Sequence, residues 1–423
     1  MTAPRRSRTS SRVGPLVART EGVPTLDVDA LLADRGTRII VCCGSGGVGK
    51  TTTSAALALR AAEQGRRVVV LTIDPARRLA QSMGIETLDN VPRPVPAVDG
   101  SKGGSLEAMM LDMKRTFDEV VESGASPQMA AQILANPFYV AVSSSFAGTQ
   151  EYMAMEKLGQ LHAEARRTGA WDLIVVDTPP SRSALDFLDA PERLSSFLDG
   201  RLIRLLLMPA RGPAKLMTAG VNLVTGALAK VLGGQMLRDV QTFVAALDTL
   251  FGGFRQRAQR TYRLLQADGT AFLVVAAPEP DALREAAYFV ERLNEERMPL
   301  AGLVVNRASP AARGGLSAEQ ALAAAQRLDE ADQTGQTGQT GQTDQTGETG
   351  EEAGGSAAGD GVTAALLRLH ADRARIVARE TRLRRRFSTV HPDVPTAVVP
   401  ALSVDVHDLA GLRRVGDLLA HTP

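Results

Sequence analysis

Short apolar runs that end in polar or turn residues alternate with longer stretches of helical spacing along most of this chain. Arg38-Ile39-Ile40-Val41-Cys42-Cys43 is β-branched and small apolar after its first residue, which predicts a buried strand. Lys50 to Gln64 is rich in Ala and Leu and stops before Gly65, which predicts a helix closed by a C-terminal glycine. Arg67 to Ile73 repeats the apolar pattern as a second strand. Strand, helix and strand in that order make a right-handed crossover, and therefore a parallel sheet. Further strands are predicted at Leu106 to Leu111, Trp171 to Val176, Thr270 to Ala276, Leu300 to Val305 and Thr396 to Val399, with a short helix from Leu26 to Ala33. The expected fold class is α/β with a mostly parallel, doubly wound sheet.

Two stretches, 113–168 and 182–263, carry apolar residues at helical spacing, as in Phe243, Leu247, Leu250, Phe251 and Phe254. They predict a helical subdomain inserted between strands. The sheet-bearing core is then divided over 34–112, 169–181, 264–310 and 363–418. Within the insertion, 202–237 is apolar nearly throughout and broken by Gly and Pro. It reads either as an adaptable surface for apolar partners or as helices packed over the sheet. Residues 332–361 repeat Gln-Thr-Gly and then turn acidic and Gly-rich, the pattern of a flexible linker. A long helix is predicted from Thr363 to Phe387, its Arg382, Arg384, Arg385 and Arg386 forming a solvated end. Residues 1–25 read as a disordered basic tail, or as an arm for anionic partners.

Composition narrows the class. Aromatic residues make up only 4% of the chain, so the core must be built from Ala, Val, Leu and Met. A net charge of +1 argues against nucleic acid as a partner. The two cysteines are the adjacent Cys42 and Cys43, on opposite faces of one strand. They cannot make a disulfide framework, which points to a reducing compartment. No signal-peptide apolar core and no long uncharged apolar run are present in the sequence, so the expected location is cytoplasmic.

The candidate chemistry starts at Gly44-Ser45-Gly46-Gly47-Val48-Gly49-Lys50-Thr51. The stretch fits G-x-x-x-x-G-K-[ST] and lies between a predicted strand and a predicted helix, the context of a phosphate cradle. Backbone N–H groups across Gly46, Gly47, Val48 and Gly49, with Thr52 behind them, would face phosphate oxygens at a helix N-terminus. Lys50 would hold the β- and γ-phosphates, and the Thr51 hydroxyl would be a Mg²⁺ ligand. Asp177 ends a buried strand, where such proteins place the carboxylate that holds Mg²⁺. Asp74, at the end of the second strand, would orient the attacking water or reach the metal shell. Asn306 has an amide that matches the donor and acceptor of an adenine edge, and Pro400 would form another wall of that pocket.

These residues carry a specific resemblance. From about residue 36 to 415, the linker excepted, the chain resembles the arsenite-pump (ArsA) and tail-anchored-protein-targeting ATPase family, within the ParA/MinD-like P-loop class. Gly44 to Thr53 resembles its phosphate loop, Asp74-Pro75-Ala76 its switch I and Asp177-Thr178-Pro179-Pro180 its switch II. Ser145 to Glu151 resembles the segment that leads into its helical subdomain, and Asn306 its adenine-reading Asn. The resemblance implies an ATP- and Mg-dependent dimer, homo- or heteromeric, whose helical subdomain binds a hydrophobic membrane-protein client. Three departures stand out. Ser45 replaces a Lys that reaches the partner subunit's nucleotide, leaving Arg77, Arg78 and Arg182 as alternative cations. The zinc-binding C-x-x-C of the dimer seam is absent, and so is the metalloid-binding cysteine triad, so neither zinc nor arsenite is expected. With Ser45 in place, the other reading is a regulatory subunit with weak hydrolysis of its own.

Overall fold

The computed structural model describes residues 22–73, 78–137, 139–140, 149–179, 256–310, 315–338 and 354–421. In chain order the elements begin α1 (Val28–Ala33), β1 (Ile39–Cys43), α2 (Lys50–Glu63), β2 (Arg67–Thr72), α3 (Arg78–Ser82), β3 (Arg93–Pro94) and β4 (Ser105–Met110). They continue with α4 (Met113–Gly124), α5 (Pro127–Leu134), α6 (Thr149–Thr168), β5 (Leu173–Asp177) and α7, helical over 256–265. The remainder is β6 (Thr270–Ala276), α8 (Pro280–Glu295), β7 (Leu300–Ala308), α9 (Ala318–Gly338), α10 (Gly354–Val390), β8 (Thr396–Pro400) and α11 (Leu409–Ala420).

Eight strands form one sheet in the order β3-β4-β2-β5-β1-β6-β7-β8. All pairings are parallel except β3 with β4. Alternate residues of each strand enter two cores, one on each side. Val41, Leu71, Val176 and Val274 meet α4, α6 and α8, while Ile40, Val70, Val175 and Leu273 meet α2 and α11. Cys42 and Cys43 are divided between those faces, as the pleat requires. The Ala-rich face of α2 lies flush on the sheet, with Ala55, Ala58, Ala61 and Ala62 fully buried. Small side chains let the helix approach closely, so that burial is gained without aromatic bulk.

Every predicted strand forms, most of them within a residue or two. The two-residue edge strand β3 has no apolar signature and depends on pairing with β4, and its Pro94 is tolerated because it lies on an edge. The helices flanking the Gln-Thr-Gly region run further into it than its composition suggests. α9 continues to Gly338 and α10 begins at Gly354, so the expected linker 332–361 is helical at both ends. Ala321 and Ala325 of α9 and Ala364 and Ala371 of α10 are buried, and a helix held by packing extends at little further cost. The arginine cluster is not uniformly solvated either. Arg384 is buried, its guanidinium donating to Thr381 Oγ1 at 3.3 Å, while Arg382, Arg385 and Arg386 are exposed.

At the sheet edge opposite the phosphate loop, Arg66 is almost fully buried. Its guanidinium reaches Asp172 Oδ1 at 2.9 Å and the carbonyls of Leu32, Thr37 and Asp172 at 3.1, 2.7 and 2.7 Å. One side chain thus joins the entries to β1, β2 and β5. Arg66→Met keeps the volume and removes the donors. We expect it to lower stability by about 3 kcal/mol or more, read as a shift in denaturant midpoint. An unchanged midpoint would show that water replaces the guanidinium without loss.

Candidate functional site: a phosphate loop at the sheet's C-terminal edge

The loop between β1 and α2 needs glycine for two separable reasons. Gly44 and Gly49 adopt φ of +149° and +94°, values that side chains rarely take. A Cβ on Gly44 would also stand 2.1 Å from the Val275 carbonyl oxygen, and one on Gly49 would stand 2.2 Å from Asn306 Nδ2. The loop is therefore wedged against β6 and β7. Gly46 and Gly47 are exposed at its crest, Val48 is buried, and Thr51 and Thr52 are half-buried in the first turn of α2. Lys50 begins that helix, is only 6% exposed, and sends its ammonium back across the loop to the Ser45 carbonyl at 2.8 Å.

Strand order brings the metal candidates together. β5 lies between β1 and β2, with Asp177 in register with Cys42 on one side and Thr72 on the other. The carboxylate of Asp177 is fully buried, and its Oδ2 accepts from Thr51 Oγ1 at 2.7 Å and from Thr72 Oγ1 at 2.9 Å. A hydroxyl and a carboxylate are hard oxygen donors, the set that suits Mg²⁺. Thr178 fixes the exit from β5 by donating its hydroxyl to the Cys42 carbonyl at 2.9 Å. Asp74 lies outside the described residues, as do Arg77, Arg182, most of the 145–151 segment and all of 202–237; the side chain of Arg78 is likewise not described. The preceding residue is placed: Ile73 donates its N–H to the Asp177 carbonyl at 3.0 Å.

Asn306 and Pro400 stand at neighbouring strand ends, where Ala401 donates to the Ala308 carbonyl at 2.8 Å. The amide of Asn306 donates to the Val48 carbonyl at 2.9 Å. An amide NH₂ has two hydrogens and a separate carbonyl oxygen, so this contact leaves capacity for a base. Asp112, a third carboxylate just past a strand end, caps α4 by accepting from Arg115 N at 2.9 Å. Burial pushes both cysteine thiols up to about 12, so neither is a thiolate at neutral pH.

Two residues of this site have no signature in the sequence pattern. Thr72 is a polar residue closing an otherwise apolar strand, which is its one trace. Arg307 follows Asn306 and donates to the Gly47 carbonyl at 3.0 Å, and only its position just past the Asn could have drawn attention to it.

Residues 37–329 match the family model of the anion-transporting ATPases. The ATPase get3 of Aspergillus terreus is 26% identical over 285 residues, which cover 66% of this chain and 76% of that one. The ATPase GET3 of Ajellomyces dermatitidis is 27% identical over 288 residues, covering 67% and 76%. A putative ATPase of Mycobacterium bovis is 22% identical over 279 residues, covering 65% and 66%. The span matched by the family model holds the phosphate loop, Asp177 and Asn306, and ends before α10 and β8. With that loop, its buried Lys50 and the Thr51–Asp177 pair assembled in a parallel α/β sheet, the chain belongs to the anion-transporting ATPase family and is a P-loop ATPase.

Proposed function

We propose that this protein binds Mg-ATP at the C-terminal edge of β1 and β5, hydrolyses it, and uses the nucleotide state to control a dimer that engages an apolar membrane-protein segment in the cytoplasm. The observation that carries the nucleotide part is the 2.7 Å contact between the Thr51 hydroxyl and the buried Asp177 carboxylate, beside the phosphate loop. Lys50 would leave the Ser45 carbonyl for the β- and γ-phosphate oxygens. Thr51 and Asp177 would hold the Mg²⁺, which when bound neutralises charge on those phosphates. Asp74, one residue beyond Ile73, would orient the attacking water. Asn306 and Pro400 would flank the adenine. Dimer and client rest on the family resemblance, and among the described residues no helix is long and apolar enough to cross a membrane.

Ser45 favours a second reading, in which the chain's own turnover is weak and a related ATPase completes the site. A cation supplied from a partner subunit can contribute roughly 10³–10⁵ in rate, and a serine hydroxyl is a neutral donor. The test is ATP turnover of the purified chain against Ser45→Lys, with oligomeric state followed by light scattering. Slow wild-type turnover, raised at least about tenfold in the variant, is the expected result. Brisk turnover by a wild-type homodimer would overturn the need for a partner that carries the lysine.

A further inference from the structure

β7 departs from a regular strand where it passes the phosphate loop. Val305 pairs with Val398 and Ala308 with Pro400, so three steps along β7 face two along β8. This is a bulge with one extra residue. Consecutive side chains of a regular strand point to opposite faces, yet Asn306 and Arg307 both reach the same loop. Asn306 Nδ2 donates to the Val48 carbonyl at 2.9 Å, and Arg307 Nη1 donates to the adjacent Gly47 carbonyl at 3.0 Å. Arg307 does so at φ +60°, a left-handed conformation that is costly for residues other than glycine. Such strain persists only where the surroundings impose it, and it gathers at functional sites. Beyond the bulge the chain is held again, with Ser309 N and Oγ donating to the Glu380 carboxylate at 2.8 and 2.7 Å.

We propose that Asn306 and Arg307 form a two-point clamp that sets the phosphate loop for binding, with Arg307 as a positioning residue that acts through the Gly47 carbonyl. The reason lies in peptide geometry. In a trans peptide plane the C=O and the following N–H point in opposite directions. Holding the Gly47 and Val48 carbonyls on the β7 side therefore directs the N–H groups of Val48 and Gly49 away from it, as a phosphate cradle requires. A guanidinium on the carbonyl also polarises that peptide and strengthens its N–H as a donor. The bulge is what makes both contacts possible: without the extra residue, one of the two side chains would face the other side of the sheet.

The inference rests on the proposed nucleotide site, and the experiment separates the two. Mg-ATP and Mg-ADP are titrated calorimetrically into the full chain and into Arg307→Ala, Arg307→Lys and Arg307→Gly. Because loop N–H groups cradle the phosphates shared by both nucleotides, Arg307→Ala should weaken ATP and ADP alike. Because Arg307 acts on the phosphates only through the Gly47 carbonyl, the loss should lie near or below the lower end of the range for a direct charge-assisted contact, at about five- to twentyfold. Arg307→Lys, which keeps a cationic donor, should recover to within about threefold of wild type. Arg307→Gly should bind as poorly as the alanine variant without any fall in ligand-free unfolding temperature, since glycine relieves the backbone at φ +60°. Unchanged affinity in the alanine variant, a loss confined to ATP, or equal destabilisation of all three ligand-free variants would overturn the clamp. A wild-type chain that binds neither nucleotide would remove the proposed site itself, and the clamp with it.

Discussion

Lys50→Ala is expected to abolish measurable ATP turnover and to weaken Mg-ATP binding by about tenfold to more than a hundredfold, the range for one charge-assisted contact. The rate should suffer more than the affinity, because charge that develops on the transferring phosphoryl group is stabilised most strongly in the transition state. Stability should be spared. Lys50 is 6% exposed and its ammonium rests on the Ser45 carbonyl, so truncating it gives up that hydrogen bond but also removes the cost of desolvating a cation. Calorimetric titration with Mg-ATP and an unfolding scan of the ligand-free chain make the check. Wild-type affinity and rate in the variant would mean the loop does not hold phosphate.

Asp177→Asn should lower turnover at least about a hundredfold, the scale of losing a preorganised electrostatic group, and raise the Mg²⁺ concentration needed for half-maximal activity. The change keeps the shape and an acceptor oxygen for Thr51 and Thr72, but removes the charge that a divalent cation needs. Asp177 is fully buried, and an ionised carboxylate held there is costly. The ligand-free variant should therefore unfold at the same temperature as wild type or higher. Lower stability combined with an unchanged Mg²⁺ requirement would make Asp177 a structural residue and would remove the metal assignment. The opposed directions of the two readouts are the signature of a group kept for function.

Much of this architecture is legible without coordinates because strand and helix signals are local. The apolar runs of β1, β2, β5 and β6 and the Ala-rich α2 depend only on neighbours in sequence. The same holds for Gly44, Gly47 and Gly49 of the phosphate loop, since each marks a positive φ. Other features are not local. The tail of α10 next to the Gln-Thr-Gly region is helical although its composition suggests a linker, because packing between α9 and α10 carries the helix outward. Arg384 is buried amid three exposed arginines, since one face of α10 lies against the body of the protein. Nothing in a run of Arg-rich residues says which of them will be covered.

By itself the sequence determined the α/β class, the phosphate loop with Lys50 and Thr51, and a carboxylate at the end of a strand in Asp177. Tertiary structure alone decided that β5 enters between β1 and β2, which puts Asp177 in reach of both Thr51 and Thr72. It also decided that one extra residue in β7 turns Arg307 onto the loop beside Asn306. Those contacts join residues 105 to 260 positions apart. They follow from strand order and from a bulge in register, and neither leaves a periodic trace in the chain, because both are set by what packs across the sheet.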